Sequence, residues 1–194
     1  MRVSFIALAA IFFAAGCFNE SEPAYKSVPA GARVYLQDKG LEVAPELNRE
    51  IVDYVNLDRN SLTHIDALAK LDALKWLRLN SNRLSSLPDL KALVKLRRIY
   101  LKNNRFEAVP ETLKDLPALT DIDLSGNPIA TVPDWLAKKQ GLKNLSFSRT
   151  KIERLPDDLS AWRSLQSLQL GELQLGAAEM KRIRTELPDV AIVF

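Results

Sequence analysis

The sequence predicts an α/β repeat solenoid, in which short coils of chain stack side by side and share one parallel sheet. A spacing of apolar residues recurs in frames that start at residues 52, 74, 96, 119, 142 and 165, at intervals of 22 or 23 residues. Inside a frame, apolar residues alternate as Leu77 and Leu79 do, which is typical of a short strand with one buried face. One coil cannot bury its leucines alone, so the copies are expected to stack around a continuous core.

The frame is clearest between Leu74 and Leu84, where it reads LxxLxLxxNxL. The last two copies are weaker, since Thr150 and Leu173 stand where the others have asparagine. A Leu-Pro or Val-Pro pair follows four cores, at Leu87-Pro88, Val109-Pro110, Val132-Pro133 and Leu155-Pro156. From about Gly31 to the C-terminus this pattern resembles the leucine-rich repeat family. The resemblance implies a right-handed horseshoe with a concave parallel sheet and short helices or 3₁₀ turns on its convex side.

Asparagines recur where each strand gives way to a loop, at Asn60, Asn82, Asn104 and Asn127. A side-chain amide both donates and accepts hydrogen bonds, and at that position it reaches buried backbone that no strand ladder serves. We therefore expect a structural ladder of stacked asparagines.

Both ends of the solenoid show altered copies, as terminal repeats do. Residues 33–36 are predicted to form the first strand, with Lys39 in the asparagine position and Leu47 and Ile51 folded over the end. Residues 177–187 are predicted to form a helix whose basic residues are simply solvated, and Ala191–Phe194 a last strand 23 residues after the preceding one. We expect residues 31–194 to be one domain of about six repeats plus terminal caps. The last cap is expected to be the final segment of the sequence.

The first residues have a different composition. A basic Met1-Arg2 pair precedes an apolar run from Val3 to Ala15, and Ala14-Ala15-Gly16-Cys17 follows. This arrangement resembles the signal peptide and lipobox of bacterial lipoproteins. The resemblance implies a signal peptide at 1–16, lipid on Cys17 and a tether over 17–30. An ordinary secretory signal with an incidental cysteine is the alternative.

The predicted lipid anchor also implies a location. Acyl chains on Cys17 would attach the protein to a membrane of the cell envelope. Phe18 rather than aspartate follows the cysteine, which resembles lipoproteins of the outer membrane if the host is Gram-negative. The polar, proline-containing tether would span roughly 20 Å. The repeat domain is then expected just off the membrane.

Composition excludes several classes of function. The chain has 27 basic and 24 acidic residues, a net charge of +3, and this small excess does not indicate nucleic-acid binding. It has one cysteine, so no internal disulfide forms, and its one histidine, His64, lies outside the strands. We expect no catalytic residues, no cofactor and no metal. Gly126, before Asn127, is explained by turn chemistry.

Residues between the buried strand positions are expected to face outward on the concave side. The predicted ligand-binding residues there are Tyr54, Trp76, Arg78, Arg98, Tyr100, Lys102, Asp121 and Asp123. Trp, Tyr and Arg dominate binding hot spots, so this set predicts a protein-binding face.

Three other interpretations of the same residues remain open. The aromatic and arginine side chains could simply stack to cover the sheet, with Arg98 and Lys102 neutralised by the aspartates. The basic residues Arg78, Arg98 and Lys102 could instead recognise an anionic envelope glycan or lipopolysaccharide. Asp121 and Asp123 could act as paired catalytic carboxylates, which the neighbouring bases make a weaker hypothesis.

Overall fold

The structure, a computed structural model, describes residues 31–194, so the predicted signal peptide, Cys17 and tether lie outside it. The described chain forms one open sheet of eight parallel strands in chain order, β1 to β8. Their bounds are β1 Ala32–Tyr35, β2 Val52–Asn56, β3 Trp76–Arg78, β4 Arg98–Tyr100, β5 Asp121–Asp123, β6 Asn144–Ser146, β7 Ser167–Gln169 and β8 Ala191–Val193. This is the predicted α/β repeat solenoid.

Equivalent positions of neighbouring repeats pair across the sheet. Tyr54 lies opposite Trp76, and Trp76 lies opposite Arg98. Leu77 is paired in the same way with Ile99. Because adjacent strands are about 4.8 Å apart, each repeat position becomes a row that crosses the sheet at that spacing.

The apolar rows form the interior. Leu77, Leu101 and Leu124 are all fully buried, as stacking of the coils requires. The buried apolar cluster runs without a break from Val34 in the first coil to Val190 in the last. The coils therefore share one core along the whole described length.

Short helical segments return the chain from one strand to the next. They are the 3₁₀ segments Asp66–Lys70, Glu111–Leu113 and Ser160–Ser164, and the α-helices α1 Asp134–Ala137 and α2 Ala177–Glu186. Pro110 and Pro133 come directly before the segments that start at Glu111 and Asp134. Proline suits a helix start because its φ is preset and its missing N–H would have no helical partner there.

The two ends differ in detail from the prediction. Strand β1 starts one residue earlier than expected, and Leu47 and Ile51 pack partly buried against the core. At the other end Leu168 is paired with Ile192, 24 residues further along the chain, so the predicted interval of 23 residues is wrong. The extra residue puts Ile192 against the core and leaves Val193 exposed on the open face.

The expectation of a simply solvated basic face on α2 is wrong for Arg182, although Lys181 and Arg184 are exposed as predicted. The Arg182 guanidinium donates to Glu179 at 2.8 Å and to Glu186 at 2.9 Å. It also donates to the carbonyl oxygen of Leu155 at 3.1 Å. The hydrogen bond to Glu179 is the main reason that the pKa of Arg182 is raised despite burial. Arg182 thus fastens α2 to the preceding coil.

Candidate functional site

The open face of the sheet carries the eight predicted ligand-binding residues in three rows. The first row is Arg33, Tyr54, Trp76, Arg98, Asp121, Asn144 and Ser167, and the second is Tyr35, Asn56, Arg78, Tyr100, Asp123, Ser146 and Gln169. Lys102 belongs to a third row just beyond the strand ends, with Asp58 and Asn80. We call this surface the sheet face.

Aromatic rings are stacked side by side across the first three strands. The ring centroids of Tyr35 and Tyr54 are 5.3 Å apart, and those of Tyr54 and Trp76 are 5.8 Å apart, with tilted planes. Tyr35 is 39% exposed and Trp76 37% exposed, which is high for rings of this size. Tyr35 was not among the predicted ligand-binding residues, although its strand position in the sequence already pointed to this face.

Arg78 lies between a buried carboxylate and an aromatic ring. Its guanidinium is 2.7 Å from the Asp58 carboxylate, and it lies 5.4 Å from the ring centroid of Tyr100. Burial acts to lower the pKa of Arg78, but the hydrogen bond and charge of Asp58 outweigh it and the pKa is raised. Asp58 also accepts from the backbone N–H of Asn80 at 2.8 Å. Arg78 is therefore held in one position before any ligand arrives.

Arg98 is held in a similar way. Its guanidinium lies 4.2 Å from the ring centroid of Trp76, in the geometry of a cation–π contact. On its other side, Arg98 Nε is 3.7 Å from the Asp121 carboxylate. That carboxylate is buried and accepts hydrogen bonds from Thr120 Oγ1 at 2.5 Å and Asn144 Nδ2 at 2.7 Å. Asp121 therefore supports the site from below and offers little of its own surface to a ligand.

Lys102 and Asp123 are the two charged members of the set that have no ion-pair partner among residues 31–194. The Lys102 backbone N–H donates to the Asn80 side chain. Its ammonium group forms no ion pair within the described residues. Asp123 accepts from the backbone N–H of Ser125 at 2.9 Å. The expected neutralisation by aspartate thus applies to Arg98 but not to Lys102.

At β6 and β7 the sheet face carries only small or uncharged polar residues: Asn144, Ser146, Ser148, Ser167, Gln169 and Gly171. Their hydroxyl groups bond to neighbouring side chains, as Ser146 does to Ser125 at 2.6 Å and as Ser167 does by accepting from the Gln169 amide. The aromatic and basic residues of the N-terminal half therefore lie beside a surface of small polar side chains.

The four asparagines of the predicted ladder occupy equivalent positions beside the sheet. Asn104 Nδ2 donates to the carbonyl oxygens of Leu79 and Leu101, both at 2.9 Å, and its Oδ1 accepts from Leu84 N at 3.1 Å. The other three follow the same scheme, each bonding its own repeat and the one before it. These side chains are structural in position and lie off the sheet face.

A second recurring position, directly before the asparagine, was not predicted. Its residues have φ between 55° and 68°; they are Asp38, Arg59, Ser81, Asn103, Gly126, Arg149 and Glu172. Only one of the seven is glycine, so residue type did not reveal that this position has positive φ. Its constant place, one residue before the asparagine position of each repeat, would have revealed it. At Gly126 a Cβ would lie 2.2 Å from the Asn103 side-chain oxygen, so a larger residue there would require the Asn103 side chain to move.

The one histidine of the chain lies apart from the sheet face. His64 is exposed and its Nδ1 is 3.1 Å from Thr63 Oγ1, away from the sheet face. Within residues 31–194, no group of three or more His, Cys, Asp or Glu side chains is arranged to hold a metal ion. No helix in that range is long and apolar enough to cross a membrane.

Comparison with known proteins decides the family. The family model for the leucine-rich repeats of leucine-rich repeat and WD repeat-containing protein 1 matches residues 50–151. The chain belongs to the leucine-rich repeat family. Leucine-rich repeat domains offer an extended rigid surface and are generally protein-interaction modules. No curated protein matches this leucine-rich repeat chain.

Solved structures show the same repeat fold. A leucine-rich repeat protein of Leptospira interrogans superposes with a TM-score of 0.71 and 24% identity, covering 84% of this chain and 48% of that one. YopM from Yersinia enterocolitica superposes with a TM-score of 0.60 and 29% identity, covering 74% of this chain and 29% of that one. This leucine-rich repeat chain therefore spans about half the length of the first protein and less than a third of the second.

Proposed function

We propose that this leucine-rich repeat protein is a lipid-anchored binding module of a bacterial cell envelope, which holds a protein ligand on its sheet face. The ligand-binding residues are Tyr54, Trp76, Arg78, Arg98, Tyr100 and Lys102, with Asp121 and Asp123 at their border. Cys17 carries the anchor, and the outer membrane is the location in a Gram-negative host. No chemical reaction is part of this function.

The observation that carries the proposal is the half-exposed Trp76 ring with Arg98 stacked 4.2 Å above it. Asp58 holds Arg78 by hydrogen bonds, and the Trp76 ring and the Asp121 carboxylate flank Arg98, so both arginines have less side-chain entropy to lose on binding. Rigid aromatic and arginine side chains of this kind provide most of the binding energy in protein interfaces.

The same ion pairs make an anionic glycan a weaker candidate. Two of the three cations invoked for it, Arg78 and Arg98, already face Asp58 and Asp121. Only Lys102 of that group has no carboxylate partner in the described segment. A ligand bound mainly through aromatic contacts should be less sensitive to salt than a polyanion.

The test of the binding face is a double substitution, Trp76→Ala with Tyr100→Ala, in the tethered protein. The matched control is Ser146→Ala with Gln169→Ala, on the same face of the sheet but in its polar half. After crosslinking on intact cells and pull-down, the first variant should lose a protein that the wild type and the control retain. Hot-spot truncations cost about 2 kcal/mol or more each, so the loss should be nearly complete. Identical partners for all three proteins would refute the proposed face.

The anchor needs a separate measurement. Mass spectrometry of protein extracted from membranes should find an acylated Cys17 at the N-terminus of the mature chain. A mature protein that starts elsewhere and has a free thiol would remove the anchor from the proposal without affecting the binding face.

A further inference from the structure

The side of the domain on which the strands start is strongly basic next to β4, β5 and β6. Because the strands are parallel, all of them start on this side, and the segments 91–97, 114–120 and 138–143 lead into these three strands. These three segments contain one acidic residue, Asp115. Their basic residues are Lys91, Lys95, Arg97, Lys114, Lys138, Lys139 and Lys143. The nearly neutral total charge of the chain hides this local excess.

Two of the seven basic residues have structural roles. Lys91 Nζ is 3.6 Å from Asp89. Lys139 Nζ donates to the carbonyl oxygens of Lys114 and Leu116, at 3.0 and 2.9 Å, and burial lowers its pKa. The other five are exposed, and none of them forms an ion pair with another residue of the described chain. These five, Lys95, Arg97, Lys114, Lys138 and Lys143, are called the basic edge.

The backbone holds members of the basic edge in neighbouring coils. Thr120 N donates to Arg97 O at 2.8 Å, and Lys143 N donates to Thr120 O at 2.7 Å. Arg97 and Lys143 are therefore two strand spacings apart, about 10 Å. Like charges on backbone positions this close repel one another, by an amount that depends on where the side chains lie, and contact with an anionic surface would relieve that repulsion.

The chain also enters the solenoid at this edge. Strand β1 begins at Ala32, so the segment that leads back to Cys17 joins the domain on the same side as the basic edge. We propose that the basic edge docks on the anionic headgroups of a phospholipid bilayer. The choice of a bilayer rests on the proposed lipid anchor, which would keep this edge within reach of one. Docking there would turn the sheet face sideways and leave it open to a ligand.

Vesicle binding tests this directly. The chain from residue 18 onward lacks the anchor but contains the whole core, which lies between Val34 and Val190. It should sediment with vesicles of phosphatidylcholine and phosphatidylglycerol but not with phosphatidylcholine alone. Each basic residue near an anionic membrane is worth about fivefold in affinity, so Lys95→Gln, Arg97→Gln and Lys143→Gln together should weaken binding roughly 100-fold.

The matched control removes the same charge from the opposite edge. Arg83, Arg105 and Lys151 are exposed there, and the triple change to glutamine should leave most of the vesicle binding intact. Melting curves verify that both variants stay folded. Binding of the wild type should also disappear at about 1 M salt, where the screening length falls to about 3 Å.

Three results would overturn the proposal: equal loss in the two triple variants, equal binding to neutral vesicles, or binding to soluble polyphosphate without binding to vesicles. None of them depends on acylation of Cys17, so failure of the basic edge and failure of the anchor are distinguishable.

Discussion

At the scale of single residues, the asparagine side chains supply hydrogen bonds between adjacent coils at the point where the strand pairing has ended. Each amide joins the backbone of two adjacent coils, as Asn82 does by donating to Leu57 O and Leu79 O, both at 3.0 Å. The groups it serves are buried, and an unpaired buried polar group is costly. One side chain per repeat thus links neighbouring coils at the point where the chain leaves the sheet.

Asn104→Ala should lower the free energy of unfolding by about 1 to 3 kcal/mol, because Leu79 O, Leu101 O and Leu84 N lose a hydrogen-bond partner. The measurement is urea unfolding at equilibrium. Gln140→Ala is the control, since it removes an exposed amide. A denaturation midpoint that matches the control would contradict the structural role of Asn104.

Thr150→Asn should have the opposite effect. Thr150 occupies the asparagine position, and its buried hydroxyl has no hydrogen-bond partner in the described chain. Asparagine there would reach Leu124 O and Phe147 O, as the earlier copies reach theirs, and should stabilise the protein by about 1 kcal/mol. The same urea titration measures it, and a lower midpoint would mean that this coil differs in geometry from the others.

Some contacts of single residues could be predicted from the sequence and others could not. The positions of the asparagines followed from their spacing alone, because the backbone groups that they serve recur with the repeat. Pairing of Arg98 with an aspartate was among the expected contacts, but the partner of Arg78 did not follow, since Asp58 becomes its partner only through the choice of side-chain rotamers in neighbouring coils. Spacing predicts which residues share a face, but not which of them bond.

At the scale of elements, α2 closes the solenoid through charge as well as apolar packing. Ile183 and Leu187 are buried, while Glu179 accepts from the backbone N–H of Leu155 at 2.9 Å and from Arg182. The periodicity of this segment predicted the helix correctly. It did not predict the contacts of Arg182, because an exposed basic stripe and a basic clamp have the same pattern in sequence.

The ion pair between Arg182 and Glu179, here called the clamp, should make the free energy of unfolding depend on pH. The hydrogen bond from Arg182 holds the pKa of Glu179 below its ordinary value, against the opposing effect of burial. A carboxylate with a lowered pKa stabilises the fold above its ordinary pKa, near 4.5, and loses that contribution as pH falls through the value in the folded protein.

Glu179→Gln should therefore be less stable than the wild type at pH 7 and should lose less stability on acidification. Urea unfolding at a series of pH values gives the slope. Glu153→Gln, at an exposed position without an ion pair in the described chain, should keep the wild-type slope. Parallel slopes for wild type and Glu179→Gln would contradict the clamp.

The last strand shows how far an interval can be extrapolated. The five regular intervals predicted β8 and its place at the sheet edge, but the register was off by one residue. The coil before β8 contains α2, which is longer than the return segments of the other coils. A longer helix changes the number of residues needed to come back to the sheet, and the apolar pattern of Ala191–Val193 alone does not reveal this.

At the scale of the whole molecule, the solenoid separates its tasks by surface. Apolar rows hold the coils together, the sheet face displays aromatic and arginine residues, and the basic edge carries five exposed cations that form no ion pair in the described chain. Because every coil has the same backbone path, each surface is set by the residues at one repeat position. Sequence periodicity therefore predicts both the fold and the members of each surface.

The central claim is that the aromatic half of the sheet face contacts the protein ligand. A photoreactive phenylalanine analogue in place of Tyr35 keeps a ring beside Tyr54, and one in place of Val94 puts the same probe at an exposed site outside the sheet. After irradiation of intact cells, the probe at Tyr35 should crosslink to one protein, and Trp76→Ala should abolish that crosslink. A ligand captured only from Val94, or one captured from Tyr35 regardless of Trp76, would contradict the claim.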